Sequence, residues 1–288
     1  MHFQGLLRPK TALDAVALHL EYGDRAMYVA GATDILVAAR EKELLSERVL
    51  IDLSGIDSLR YIRQGKERIH VGSLCTHADL ASSEVIRRCA GVLAKGCLFV
   101  GSPQIRNLGT IGGNIGNASP AADTFGPLAM LRASVTLLGG NGERTLPLDQ
   151  VIQGPYRTAL TKEELITDVS FDNLEEYRQD FTKLGRRESL AISRLTVSAA
   201  VRFGADGRIG DLRVALGAAF PKPLLFEDVD ALAIGEAPSA NVAREVAVAL
   251  SDKLPEIAGI RASTRYKQPV GRNLAQRLLE KLLEVSEE

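Results

Sequence analysis

Gly101-Ser-Pro-Gln-Ile-Arg-Asn-Leu-Gly-Thr-Ile-Gly-Gly-Asn-Ile-Gly-Asn-Ala-Ser-Pro-Ala-Ala-Asp123 separates two strongly apolar regions and has no apolar period of its own. It reads as a long loop without helix or strand, a length that in compact domains usually marks function. Gly109, Gly112, Gly113 and Gly116 permit close backbone approach. Thr110, Asn114 and Ser119 offer hydroxyl and amide groups to phosphate or sugar oxygens. The spacing matches neither the G-x-G-x-x-G of dinucleotide folds nor a P-loop. An ordered structural loop also accounts for it.

A second small-residue bend lies upstream, at Ala30-Gly31-Ala32-Thr33-Asp34. The short apolar run 26–30 reads as a buried strand, and 35–45 as a helix. At such a strand-to-helix turn, successive N–H groups can converge on an anion. A plain turn with Thr33 as cap fits the same residues. Ala32 is tolerable there only at negative φ. Two such bends suit a ligand carrying two phosphates, so a dinucleotide cofactor follows as an expectation.

Around these bends the pattern mixes α and β. Residues 11–22 read as a helix capped by Thr11, with Ala12, Ala15, Val16, His19 and Leu20 on one face. Residues 48–53 read as a strand and 61–71 as a hairpin turning at 64–66. One helix is expected over 76–99 and another over 125–132, with strands at 134–138 and 165–171. Asp172 to Asp180 is polar enough to join two domains. Beyond it, strands at 195–203 and 212–219 flank the hairpin signal Asp206-Gly207, and helices follow at 239–250 and 273–284. Strands followed by helices suggest a separate α+β domain.

The 288 residues suit two domains. With 35 basic and 36 acidic side chains, the net charge of −1 argues against nucleic acid as a partner. No apolar run reaches the ~20 residues of a membrane span. The first ten residues, which include Arg8 and Lys10, lack a signal-peptide core, so a cytoplasmic location is expected. Cys75, Cys89 and Cys97 fit no disulfide or metal pattern and read as buried thiols. His2, His19, His70 and His77 form no zinc-hydrolase motif. No metal ligand and no catalytic acid or base stands out, so the chemistry needs an external cofactor.

At the two bends the chain resembles the flavoprotein subunits of the molybdenum hydroxylases, the xanthine dehydrogenase and carbon monoxide dehydrogenase family. AGATD stands where that family has AGGTD. Thr110 to Asn114 (TIGGN) and Ala118 to Asp123 (ASPAAD) match its second motif. Weaker matches follow in order at 154–160, 163–166, 182–193 and 263–267, so the resemblance spans nearly the whole chain.

The resemblance implies an α+β fold: a vanillyl-alcohol-oxidase-type (PCMH-type) FAD-binding domain over 1–175, in two α/β lobes of about 1–57 and 58–175. A C-terminal α+β domain like that of the carbon monoxide dehydrogenase flavoprotein would occupy 178–288. The implied cofactor is FAD, with Tyr28, Val29, Ala30, Gly31, Ala32, Thr33, Asp34 and Ile35 around its pyrophosphate. Val100, Gly109, Thr110, Gly113 and Asn114 would complete the nucleotide site. Asp123, Ile166 and Lys183 would also touch the cofactor, and Ile192 would cover the flavin ring. By residue type alone, Asp123 is equally a helix cap, Lys183 a solvated charge and Ile192 an ordinary strand residue.

The implied activity is that of an oxidoreductase subunit that relays electrons. They would come from [2Fe–2S] clusters on a small partner subunit, after hydroxylation at a molybdenum cofactor on a large one, and pass to NAD⁺ or another acceptor. A stand-alone flavin oxidoreductase of the same fold, or a flavin-free scaffold, remains open at this stage. Leu190 replaces an acidic residue common in the family, and the cysteines cannot supply the four thiolates of an extra iron–sulfur cluster.

Overall fold

The computed structural model describes residues 3–42, 47–187 and 190–285. The chain begins with β1 (Gly5–Leu7), α1 (Ala12–Tyr22), β2 (Ala26–Val29), α2 (Ile35–Lys42) and β3 (Val49–Asp52). Thr11 caps α1 by accepting the Asp14 N–H at 3.1 Å. Ala15, Val16 and His19 are buried under this helix, whereas Leu20 is exposed. The strands form a small parallel sheet in the order β1-β3-β2. The expected end of α2, at 45, lies outside the described residues.

Next come β4 (Ile62–Gln64), β5 (Arg68–Gly72), α3 (His77–Ser82), α4 (Glu84–Cys89), α5 (Gly91–Leu98), α6 (Pro103–Leu108), α7 (Ile111–Asn117) and α8 (Phe125–Met130). The single helix expected over 76–99 is three. Ser83 turns extended to cap α4 through the Ile86 N–H, and Ala90 leaves helical geometry before α5.

The long loop expected over 101–123 contains two helices, a correction with a clear physical cause. Ser102 caps α6, with Pro103 in its first turn, and Thr110 caps α7. Three glycines and two asparagines give α7 poor intrinsic helicity, so the sequence hides it. It forms because Ile111, Gly112 and Ile115 are buried. A Cβ on Gly112 would lie 2.7 Å from that of Ser73, so only glycine lets the helix sit this close.

The chain continues with β6 (Ser134–Gly139), β7 (Gly142–Pro147), α9 (Leu148–Val151), β8 (Ile152–Gly154), β9 (Arg157–Thr158) and β10 (Leu165–Asp172). The second sheet is antiparallel in the order β4-β5-β10-β6-β7, and β8 and β9 form a small ribbon. The sheet buries Ile69, Val71, Val135, Leu137, Val169 and Phe171 against the helical layer.

The last part holds β11 (Arg178–Leu184), β12 (Leu195–Phe203), β13 (Ile209–Gly217), α10 (Glu227–Asp230), α11 (Ala240–Ala258) and α12 (Ala262–Leu283). The polar stretch 172–180 is therefore only partly a connector, since its end is already β11. Gly207 adopts φ +78° in the expected hairpin. The helices are longer than expected: α11 continues through Pro255 and α12 through Pro269. One face of the β11-β12-β13 sheet joins the first core through Phe181, Ala200 and Ala215. Its other face packs Val197, Val201, Val214 and Leu216 against α11 and α12. Cys75, Cys89 and Cys97 are buried. Among the described residues, no helix is long and apolar enough to cross a membrane.

Candidate functional site

A cavity of about 740 Å³ opens where the end of β2 meets α7 and the segment before β12. That is a cofactor-sized volume. Of the residues singled out from sequence, Tyr28, Ala30, Gly31, Ala32, Thr33, Asp34, Ile35, Val100, Gly109, Thr110, Gly113, Asn114, Asp123, Ile166 and Ile192 line it. Val29 does not: strand alternation turns it toward a smaller cavity of about 310 Å³ behind the bend. Lys183 stands one layer back.

The two glycine-rich bends touch. A Cβ on Gly31 would lie 1.8 Å from the Leu108 carbonyl oxygen, an impossible distance. Ala32 has φ +58°, so the expectation of negative φ is overturned: this alanine occupies the left-handed region that glycine prefers. None of the N–H groups from Gly31 to Ile35 has an acceptor among the described residues. They form a short row of unspent donors on the cavity wall. Tyr28 is committed differently, its hydroxyl donating to the Glu163 carbonyl at 2.8 Å.

The second bend has the opposite accounting. The Ile111 and Gly112 N–H groups donate to the Cys75 and Ser73 carbonyls, each at 2.9 Å. The Gly113 N–H donates to Thr110 Oγ1 at 3.0 Å. These amides are not free for an anion, which corrects the expectation that both bends supply main-chain donors. The second bend instead contributes a glycine-smoothed wall and the side chains of Asn114, Asn117 and Ser119. Asn114 Oδ1 accepts the Thr124 hydroxyl. Both Asn114 side-chain N–H groups lack an acceptor among the described residues.

Asp123 is not the cap of α8. Its carboxylate accepts Lys183 Nζ at 2.8 Å and the Ser193 hydroxyl. Burial pushes the Asp123 pKa up, opposed by Lys183 and Ser193. Lys183 Nζ also donates to the Phe99 carbonyl at 3.1 Å. Lys183 is thus buried and paired, a support for Asp123 rather than a wall of the cavity. Beside this pair, Leu190 sits at φ +53° and Ile192 is 81% exposed at the rim.

Sequence reading gave no site role to Ser73, Leu74 and His77, nor to Tyr156, Leu160 and Glu164 within the weaker matches at 154–160 and 163–166, yet all line the cavity wall. His77 had one legible signal, the Thr76–Asp79 capping box that starts α3. Its neighbourhood had none, because it comes from the long-range Thr76–Thr110 bridge. No group of three or more His, Cys, Asp or Glu side chains among the described residues could hold a metal ion.

The family model of the FAD binding domain in molybdopterin dehydrogenase matches residues 1–171, and that of the CO dehydrogenase flavoprotein C-terminal domain matches 179–282. The nicotinate dehydrogenase FAD-subunit of Eubacterium barkeri is 31% identical, over 96% of this chain and 95% of the relative. The xanthine dehydrogenase FAD-binding subunit of Escherichia coli O157:H7 is 25% identical, over 98% and 95%. Among solved structures, carbon monoxide dehydrogenase from Hydrogenophaga pseudoflava superposes with a TM-score of 0.89 at 26% identity, covering 99% of this chain and 98% of that one. The chain belongs to the FAD-binding flavoprotein family of the molybdenum hydroxylases, a family of oxidoreductase subunits.

Proposed function

We propose that FAD lies in the 740 Å³ cavity and that the chain relays electrons within a molybdenum hydroxylase complex. The observation that carries the placement is the row of unspent N–H donors from Gly31 to Ile35. Neutral amides fixed by the fold suit a diphosphate, since they need no counter-charge and no reorganisation. Gly31 and Gly109 let the two bends pack against each other beside it, and Asn114 presents two further donors. Bound FAD supplies the redox chemistry. The chain's own residues bind it, orient it and limit the access of water. Asp123, held by Lys183 and Ser193, fixes the segment carrying Ile192 at the cavity mouth.

In this reading the electrons come from the [2Fe–2S] clusters of a small subunit, and a large subunit with the molybdenum cofactor chooses the substrate. The acceptor is NAD⁺ or another carrier, and the complex is cytoplasmic. The full chain, purified and mixed with FAD, is expected to retain about one yellow flavin per chain. Its affinity-tagged form is expected to co-purify with iron–sulfur and molybdenum subunits. A chain that stays colourless with excess FAD overturns the placement; a flavin-loaded chain that captures no such subunits overturns the relay.

A further inference from the structure

His77 lines the same cavity, yet it belongs to neither bend and to no recognised motif. It is the first residue of α3, only 2% exposed, and its own N–H donates to the Gly109 carbonyl at 3.0 Å. A Cβ built on Gly109 would lie 3.2 Å from His77 Cδ2 and 3.5 Å from Thr33 Oγ1. The imidazole therefore stands where the two bends converge, beside the unspent amides. Its Nδ1 is enclosed and without a partner, and no described residue bonds either ring nitrogen. Nε2, equally unbonded, is not enclosed in this way, so it is the ring nitrogen that a ligand in the cavity can reach.

We infer that His77 is a neutral hydrogen-bond donor to the diphosphate of the bound dinucleotide, acting through Nε2–H. The inference rests on the cavity holding FAD. Burial and the nearby Arg106 guanidinium keep the ring neutral, with its pKa lowered to about 4. A neutral imidazole carries one proton. An enclosed Nδ1–H would be an orphan donor, costlier than an orphan lone pair, so the proton belongs on Nε2. Nε2 adjoins Cδ2, on the edge that borders Gly109 and the cavity. The ring then does with a side chain what residues 31–35 do with the backbone.

The test uses the full chain with ¹⁵N-labelled histidine at neutral pH. The four histidines give few signals, and His77→Gln assigns the one of interest. The expected spectrum shows a neutral ring protonated at Nε2, whose Nε2 resonance moves when FAD is added. His77→Leu is expected to weaken FAD binding roughly tenfold, the loss of one buried hydrogen bond to a charged group, while His77→Gln, which keeps an N–H donor, recovers most of it. A chain that binds FAD with the His77 signals unmoved, or protonated at Nδ1, overturns this inference and leaves the FAD site standing. So does a His77→Leu variant with unchanged affinity. A chain that binds no FAD overturns the cavity placement itself. If His77→Leu does not fold, the wild-type spectrum alone decides.

Discussion

Lys183 Nζ on β11 lies 2.8 Å from Asp123 Oδ2 on the loop before α8, and each side chain is less than a tenth exposed. This contact ties the C-terminal sheet to the wall of the cavity. Removing one partner of such a pair strands the other's charge in a poorly solvated site, at a cost of about 3–5 kcal/mol. Lys183→Met is therefore expected to lower stability by that order. Adding Asp123→Asn to it should restore part of the loss, because the stranded carboxylate is gone. Urea unfolding of the two single variants and the double variant measures the coupling; strictly additive losses would show that the two groups act independently.

Gly31 and Gly116 make a matched pair of tests for the contact between bends. A methyl on Gly31 meets the Leu108 backbone, which cannot step aside, whereas a methyl on Gly116 meets nothing within 4 Å. Gly31→Ala should cost at least about 2 kcal/mol and abolish flavin retention, as overpacking against rigid backbone does. Gly116→Ala, inside α7, should gain about 0.5–1 kcal/mol from helix propensity. Thermal unfolding of both apo variants decides it: equal melting temperatures would mean that the bends are not packed as described.

Ala32 at φ +58° carries strain of about 1–2 kcal/mol, offset in part by the lower chain entropy of alanine compared with glycine. Ala32→Gly restores the residue common in the family and should stabilise the fold by about 0.5–1 kcal/mol, with FAD affinity retained or improved. A loss of stability in that variant would place Ala32 at negative φ in solution.

How much of this was legible follows from which forces act locally. The strand-turn-helix around Gly31, the hairpin at Gly65 and the Thr11 cap rest on patterning and turn chemistry within a few residues, and sequence displays those directly. α7 was hidden because its helix is stabilised by burial against Ser73 and Cys75, not by its own glycines. The site was legible as a set of cavity-lining residues but not in its hydrogen bonding. Which amides are spent depends on the Ser73 and Cys75 carbonyls, some 40 residues away in sequence, and on Thr110. The roles of His77, and of Ser193 at the end of the 182–193 match, were hidden for the same reason: each becomes part of the site only through a tertiary contact.

Ile192, 81% exposed, contributes almost nothing to the core. Ile192→Ala should change stability by no more than about 0.5 kcal/mol and leave flavin content unchanged. With the rim side chain shortened, iodide should quench the fluorescence of bound flavin more strongly. Unchanged quenching would show that Ile192 does not cover the ring.

Asp230 on α10 gives the fold a pH dependence unrelated to the cofactor. It is 6% exposed, its Oδ1 accepts the Val214 N–H at 3.0 Å, and its Oδ2 has no partner among the described residues. Burial raises its pKa to about 7, reinforced by Asp211 and opposed by the Val214 N–H and by Arg132 and Arg213. The folded chain thus holds a proton there that the unfolded chain releases near pH 4. The associated stability is complete below about pH 4, falls as pH rises toward 7 and is flat above that, a change of at most about 4 kcal/mol. Asp230→Asn keeps an oxygen for the Val214 N–H but cannot ionise. Relative to the parent chain, its urea midpoint should be nearly equal at pH 4 and clearly higher at pH 8. A difference that does not vary with pH would mean that Asp230 is already charged in the folded protein and that its unpaired oxygen has found water.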